Sequence, residues 1–131
     1  MFMSKKAVHP ECSPIPAGPY TPALIAGDFV FVSGQTPEKP GTDEMVQGDI
    51  KVQTRQVMEN IQNILAAAGC TMNDVVKVHA CLVNMRDFAG YNEVYKQFFS
   101  KPYPTRTTVE CGVAGGCLVE IDVIALRPAE K

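Results

Sequence analysis

The spacing of hydrophobic and polar positions changes period along this chain, and each change predicts an element. Thr21–Ala26 and Phe29–Gly34 are short β-prone runs flanking Gly27-Asp28, so they predict a hairpin. Residues 36–49 are polar with Pro and Gly and predict a loop, long enough in so small a chain to suggest a functional one. From Ile50 to Ala68 the period becomes helical, with Val57, Ile61, Ile64, Leu65 and Ala68 on one stripe and Gly69 as the stop. Asp74–Val83 alternates, placing Val76, Val78, Ala80 and Leu82 on one face and Lys77, His79, Cys81 and Val83 on the other. A second helix follows over Asp87–Ser100, its stripe made by Phe88, Tyr91, Val94, Tyr95 and Phe98, with Pro102 and Pro104 beyond it. Thr105–Cys111 and Leu118–Leu126 are the last strands, joined by a glycine-rich turn.

The resulting order, β-β-α-β-α-β-β, predicts a two-layer α+β fold: a mixed sheet with two helices on one face. Both faces of the second and last strands are apolar, since Val30 and Val32 alternate with Phe29 and Phe31, and Val119, Ile121 and Val123 with Leu118 and Ile124. A sheet apolar on both faces is buried on both, and the simplest cover for the second face is another copy, so a homo-oligomer is expected.

Length and composition fit this picture. One domain is expected over residues 1–131, with 1–16 as an extended, proline-rich lead-in. A chain of this size buries roughly 65–70% of its unfolded surface, enough for a core without metals or disulfides. The net charge of −2, with scattered lysines and arginines, offers no phosphate-neutralising patch, so no nucleic-acid partner is expected. No apolar run is long enough to span a membrane, and the N-terminal stretch does not read as a signal or transit peptide. The five cysteines include no Cys-x-x-Cys pair, which predicts reduced thiols and a cytoplasmic location. A redox role for Cys111 and Cys117, which flank the last turn, is the lesser alternative. Two histidines far apart give no metal site.

The informative residues are polar ones on apolar strands. Arg106 shares a face with Thr108 and Glu110, while Glu120 and Asp122 share one with Leu118 and Ile124. If the last two strands pair as an antiparallel hairpin, Arg106 and Glu120 lie on neighbouring strands. On a solvated edge that is an ordinary cross-strand salt bridge. On a buried face the charges need a partner or a ligand. The guanidinium fork matches a carboxylate, so Arg106 is a candidate anchor for a small carboxylate, and Glu120 a candidate acid or water-positioning group. Gly34 reads either as a strand terminator or as a point of ligand approach. Tyr20 reads as core or as pocket wall, and Asn92 as solvated or pocket-facing.

Taken together, "AGPYTPA", "FVFVSGQTP", "RDFAGYNEVYKQFF" and "YPTRTTVE" followed by "LVEIDVIALRP" resemble, in order, the RidA/YjgF family of enamine/imine deaminases, also called the L-PSP endoribonuclease family. The likeness runs from about Ala17 to Arg127. It implies a chorismate-mutase-like fold, a homotrimer with sites between subunits, and no cofactor or metal. It also implies hydrolysis of 2-imino or enamine acids of the 2-aminoacrylate type to 2-keto acids and ammonia. By this resemblance Arg106 holds the substrate carboxylate, Glu120 positions water, and Tyr20, Ser33, Gly34, Asn92 and Thr108 line the pocket. Thr108 stands where the family commonly has cysteine, and the last turn lacks the usual Leu-Pro. The other readings are a ribonuclease or translation inhibitor, and a non-catalytic trimer that binds small carboxylates.

Overall fold

A computed structural model describes residues 4–129 of the chain. Its strands are β1 (Lys5–Val8), β2 (Ala23–Ala26), β3 (Phe29–Gln35), β4 (Val75–Leu82), β5 (Thr105–Glu110) and β6 (Val119–Leu126), and its helices α1 (Ile50–Ala67) and α2 (Phe88–Tyr95). The sheet order is β1-β2-β3-β6-β4-β5; β4 and β5 run parallel, and the other neighbours are antiparallel. The two helices cover one face, as the pattern predicts.

Both ends of α1 are written in the sequence. The Asp49 carboxylate accepts from the Val52 N–H at 3.0 Å, satisfying one of the free donors at the helix start. At the other end Gly69, at φ +78°, donates to the Ala66 carbonyl while Cys70 donates to that of Leu65, a closure that needs the left-handed conformation. Val57, Met58, Ile61, Ile64 and Leu65 on α1 are fully buried against Val30, Val78, Leu82, Val119, Ile121 and Val123 of the sheet. Each such side chain stabilises the fold by roughly 1.5–3 kcal/mol before conformational entropy is counted. Helix α2 crosses α1 closely: a Cβ on Gly90 would lie 2.7 Å from Ile50 Cγ2.

Four expectations are corrected. The sheet has a sixth strand, because Lys5–Val8 of the lead-in pairs antiparallel with β2; a four-residue edge strand beginning with two lysines has no apolar alternation to announce it. On β4 the register shifts between Val75 and Lys77, so Val75 rather than Val76 enters the core, and Val76 is left exposed. The second helix is shorter than expected, with single 3₁₀ turns at Met85–Asp87 and Lys96–Phe98 replacing its ends.

The fourth correction concerns the last two strands. They are not neighbours, because β4 lies between them. The β4–α2–β5 crossover sets β5 parallel against the outer edge of β4, and the chain then steps over the end of β4 to insert β6 between β4 and β3. Arg106 is therefore in register with Val78 on the helix-covered face, whereas Glu120 is in register with Cys81 on the open face. The open face carries Phe29, Phe31 and Leu126, all more than two-fifths exposed, together with His79 and Asp122, 3.4 Å apart.

Candidate active site

Two recesses hold the residues singled out by the sequence, and they lie on opposite sides of the sheet. The first surrounds Arg106. Its guanidinium donates to Asn92 Oδ1 on α2 at 2.7 Å and lies over the rings of Tyr95, Tyr91 and Phe88 at 4.6, 5.5 and 5.6 Å. Residues Phe88, Tyr91, Asn92 and Tyr95 lie at three- and four-residue spacing, so one helix face presents them together to β5. Cation–π attraction and the Asn92 hydrogen bond fix the plane of the fork without neutralising it. Among the described residues no carboxylate pairs with Arg106. The pocket in front of it, about 370 Å³, is lined also by Tyr95, Lys96, Tyr103 and Pro104.

Two rings of this bed, Tyr91 and Tyr95, are buried. The Tyr91 hydroxyl and Thr108 Oγ1 share a hydrogen bond of 3.0 Å, and the Tyr95 hydroxyl is buried with no partner among the described residues. Burial pushes the Tyr95 phenol up to about 12, helped by Tyr91 and opposed by Arg106. Tyr91 is raised too, again chiefly by burial, against the pull of the Thr108 hydrogen bond and Arg106. Both rings therefore stay neutral around the cation.

The second recess is a cleft of about 710 Å³ at the end of the open face, lined by Tyr20, Ser33, Gly34, Glu38, Met45, Gly115 and Glu120 among others. Here β3 bulges: its register with β6 shifts between Val32 and Gln35, so that Ser33 and Gly34 both fit into one step. A Cβ on Gly34 would stand 3.0 Å from the Glu120 carboxyl carbon, so the bare backbone is what admits the carboxylate. The Ser33 hydroxyl is bonded to the Thr21 carbonyl, and the Tyr20 hydroxyl accepts from the Ala17 N–H at 3.3 Å. Among the described residues nothing hydrogen-bonds or pairs with the Glu120 carboxylate.

Of the residues expected to form one site, the structure thus brings Tyr20, Ser33, Gly34 and Glu120 together, and separately Asn92 and Arg106. Thr108 stands behind the arginine pocket, engaged with Tyr91, rather than in its lining. The sequence reading missed the supports. Buried Asn60 donates to the Thr36 and Glu38 carbonyls at 3.3 and 2.9 Å, and buried Gln53 accepts from the Leu118 N–H at 2.8 Å while donating to Gly48. These amides fasten the loop after β3 and the end of the connection before β6, two walls of the cleft, to α1. Their signal was present, since both are polar residues adjoining the apolar stripe of α1.

The expectation that every cysteine is a thiol also fails. Cys81 on β4 and Cys111 just beyond β5 form a disulfide, while Cys12, Cys70 and Cys117 are free. Among the described residues no group of three or more His, Cys, Asp or Glu side chains is placed to hold a metal ion, and no helix is long and apolar enough to cross a membrane.

Fold and recesses define the class: a two-layer α+β protein with an open sheet face, and, among the described residues, an arginine with no carboxylate partner on one side and an unpaired carboxylate on the other. Comparison with known proteins narrows it. The family model described as Endoribonuclease L-PSP matches residues 11–127, and the chain belongs to that family, the RidA/YjgF proteins. It is 48% identical over 124 residues to a RutC family protein of Pyrococcus horikoshii, covering 94% of this chain and 98% of that protein. It is 40% identical over 110 residues to the 2-iminobutanoate/2-iminopropanoate deaminase of Dermatophagoides farinae, covering 84% of each. The crystal structure of E. coli TdcF with bound serine matches at a TM-score of 0.87 and 37% identity, over 94% of this chain and 99% of that one.

Proposed function

We propose that this protein is a hydrolytic deaminase of reactive 2-imino and enamine acids, the 2-aminoacrylate type, yielding 2-keto acids and ammonia. We further propose that its site is assembled between the subunits of a homotrimer. The observation that carries the reading is the unneutralised Arg106 guanidinium, held in plane by Asn92 and three aromatic rings and open to a pocket. Such a fork binds a carboxylate in two parallel hydrogen bonds. The deaminase named for the Dermatophagoides relative, and the serine bound to TdcF, support a ligand carrying that group.

Within one chain Arg106 and Glu120 face opposite ways. A substrate gripped by both therefore lies between two copies, with Arg106 from one and the Tyr20–Ser33–Gly34–Glu120 cleft from the next. The exposed Phe29, Phe31 and Leu126 supply the apolar area such an assembly buries. In the reaction an enamine first tautomerises to the imine. Arg106 then fixes the carboxylate, and Glu120 orients a water toward the imine carbon. The C–O bond forms as the C=N electron pair moves to nitrogen. The carbinolamine collapses to the C=O, and the C–N bond breaks with a proton delivered to departing ammonia. Imines hydrolyse unaided, so orientation and proton handling suffice for the acceleration required.

The test is a competition. An amino-acid oxidase generates imino acids in the presence of semicarbazide, which traps them. Wild type is expected to divert imine from the trap, and folded Arg106→Ala to lose that ability. Full activity in Arg106→Ala removes the anchor role; no diversion by wild type across small and bulky imines removes the deaminase.

A further inference from the structure

Cys81 and Cys111 are set apart from the other cysteines by position. Their Cα atoms are 5.8 Å apart, a separation a disulfide spans without moving the backbone. Both are half-buried rather than sealed in. By contrast Cys117 is buried, its Sγ lying 3.6 Å from the Val119 carbonyl and 3.7 Å from that of Ala114, and Cys70, just past the end of α1, is buried too. Burial raises both of these thiols and leaves them poor nucleophiles. Cys12 is exposed but unpaired.

The bonded pair also occupies a mechanically sensitive place. Strand β5 is the edge of the sheet, so its six residues are held by β4 alone. It carries Arg106. Cys81 is in register with Glu120, and Cys111 opens the connection that brings Ala114 and Gly115 to the cleft wall. The 30-residue separation between the two sulfurs encloses all of α2 and β5, the whole arginine half of the site.

We propose that Cys81 and Cys111 form a reversible, redox-responsive staple that pins the arginine-bearing edge strand to β4, with low-molecular-weight disulfides as the exchanging partner. In the closing direction one protein thiolate attacks the small disulfide and expels the first small thiol. The second protein thiol then attacks the mixed disulfide and expels another. The two protein thiols lose two electrons, the small disulfide gains them, and the two thiol protons end on the released thiols. The inference goes beyond the proposed reaction and stands whether or not the protein is a deaminase.

The test uses the full chain equilibrated in dithiothreitol or in oxidised glutathione, then denatured and tagged with a maleimide mass label. Five tags are expected in dithiothreitol and three in oxidised glutathione (five cysteines less the bonded pair), a glutathione adduct at exposed Cys12, recognised by its mass, being counted as a tag throughout, with peptide mapping joining Cys81 to Cys111. Closing a loop of this length should raise Tm by roughly 10 °C in the oxidised form and slow amide exchange across β5. The double variant Cys81→Ser/Cys111→Ser should carry three tags in both buffers (five less two) and show no Tm shift. Five tags in oxidised glutathione, a bond between other cysteines, or the same Tm shift in the double variant would overturn the staple. Three tags in wild type in both buffers would overturn its reversibility.

Discussion

Arg106 looks out of place as a letter between two threonines, and its neighbours in space give the reason. The residue is half-buried, yet its charge has no carboxylate partner among the described residues. Three aromatic faces and one amide hold it instead. Those neighbours were legible only as an apolar helical stripe, because a ring that packs a core and a ring that cradles a cation have the same spacing. Tyr95 separates the two roles experimentally. Its hydroxyl is buried without a partner, so Tyr95→Phe should leave stability at pH 7 unchanged within about 1 kcal/mol, or raise it. The ring under Arg106 survives the change. Because burial lifts the folded phenol to about 12, wild type keeps the Tyr95 contribution below the unfolded value near 10 and loses it as pH rises toward 12. Urea titrations at pH 7 and 11 should show a smaller alkaline loss in Tyr95→Phe than in wild type. Equal losses would mean that Tyr95 ionises freely in the folded protein.

Among the elements, α1 was the most legible, and its function is the least obvious from sequence. Its stripe, cap and stop follow from local rules, and the structure agrees to within a residue. Asp49→Ala removes the N-cap acceptor and should cost about 1 kcal/mol of stability in urea unfolding. An unchanged midpoint would show that water replaces the cap without loss. The polar residues beside the stripe, Gln53 and Asn60, turn this helix into the support for the cleft, since their amides hold the loop after β3 and the backbone at Leu118. Strand β1 was illegible for the opposite reason. Two lysines and four residues carry no periodic signal, and only the free edge of β2 makes them a strand. The bulge at Ser33-Gly34 was half legible: glycine marks a departure from regular pairing, but not that the Glu120 carboxylate fills the space.

At the scale of the whole molecule, the sheet order decides what kind of site is possible. With β4 between β5 and β6, Arg106 and Glu120 face opposite sides of one subunit's sheet. In the proposed trimer, Arg106→Ala and Glu120→Ala chains should each be inactive alone but complementary. Refolded together in equal amounts, random assembly leaves one site in four intact, so about a quarter of wild-type deaminase activity should return. No recovery in mixed, correctly sized oligomers would place both residues' action within single subunits. From spacing and residue type follow the class of fold, the helices, most strands and the doubly apolar sheet, with two charged residues standing out on its strands. These are properties of spacing and residue type, which local sterics and burial translate directly. The strand order, the bed of rings beneath Arg106, the meeting of Cys81 with Cys111 and the separation of Arg106 from Glu120 emerge from three-dimensional packing alone. Each of these depends on which strand lies beside which, and that is settled by how α2 carries the chain across the sheet rather than by any pattern within a strand.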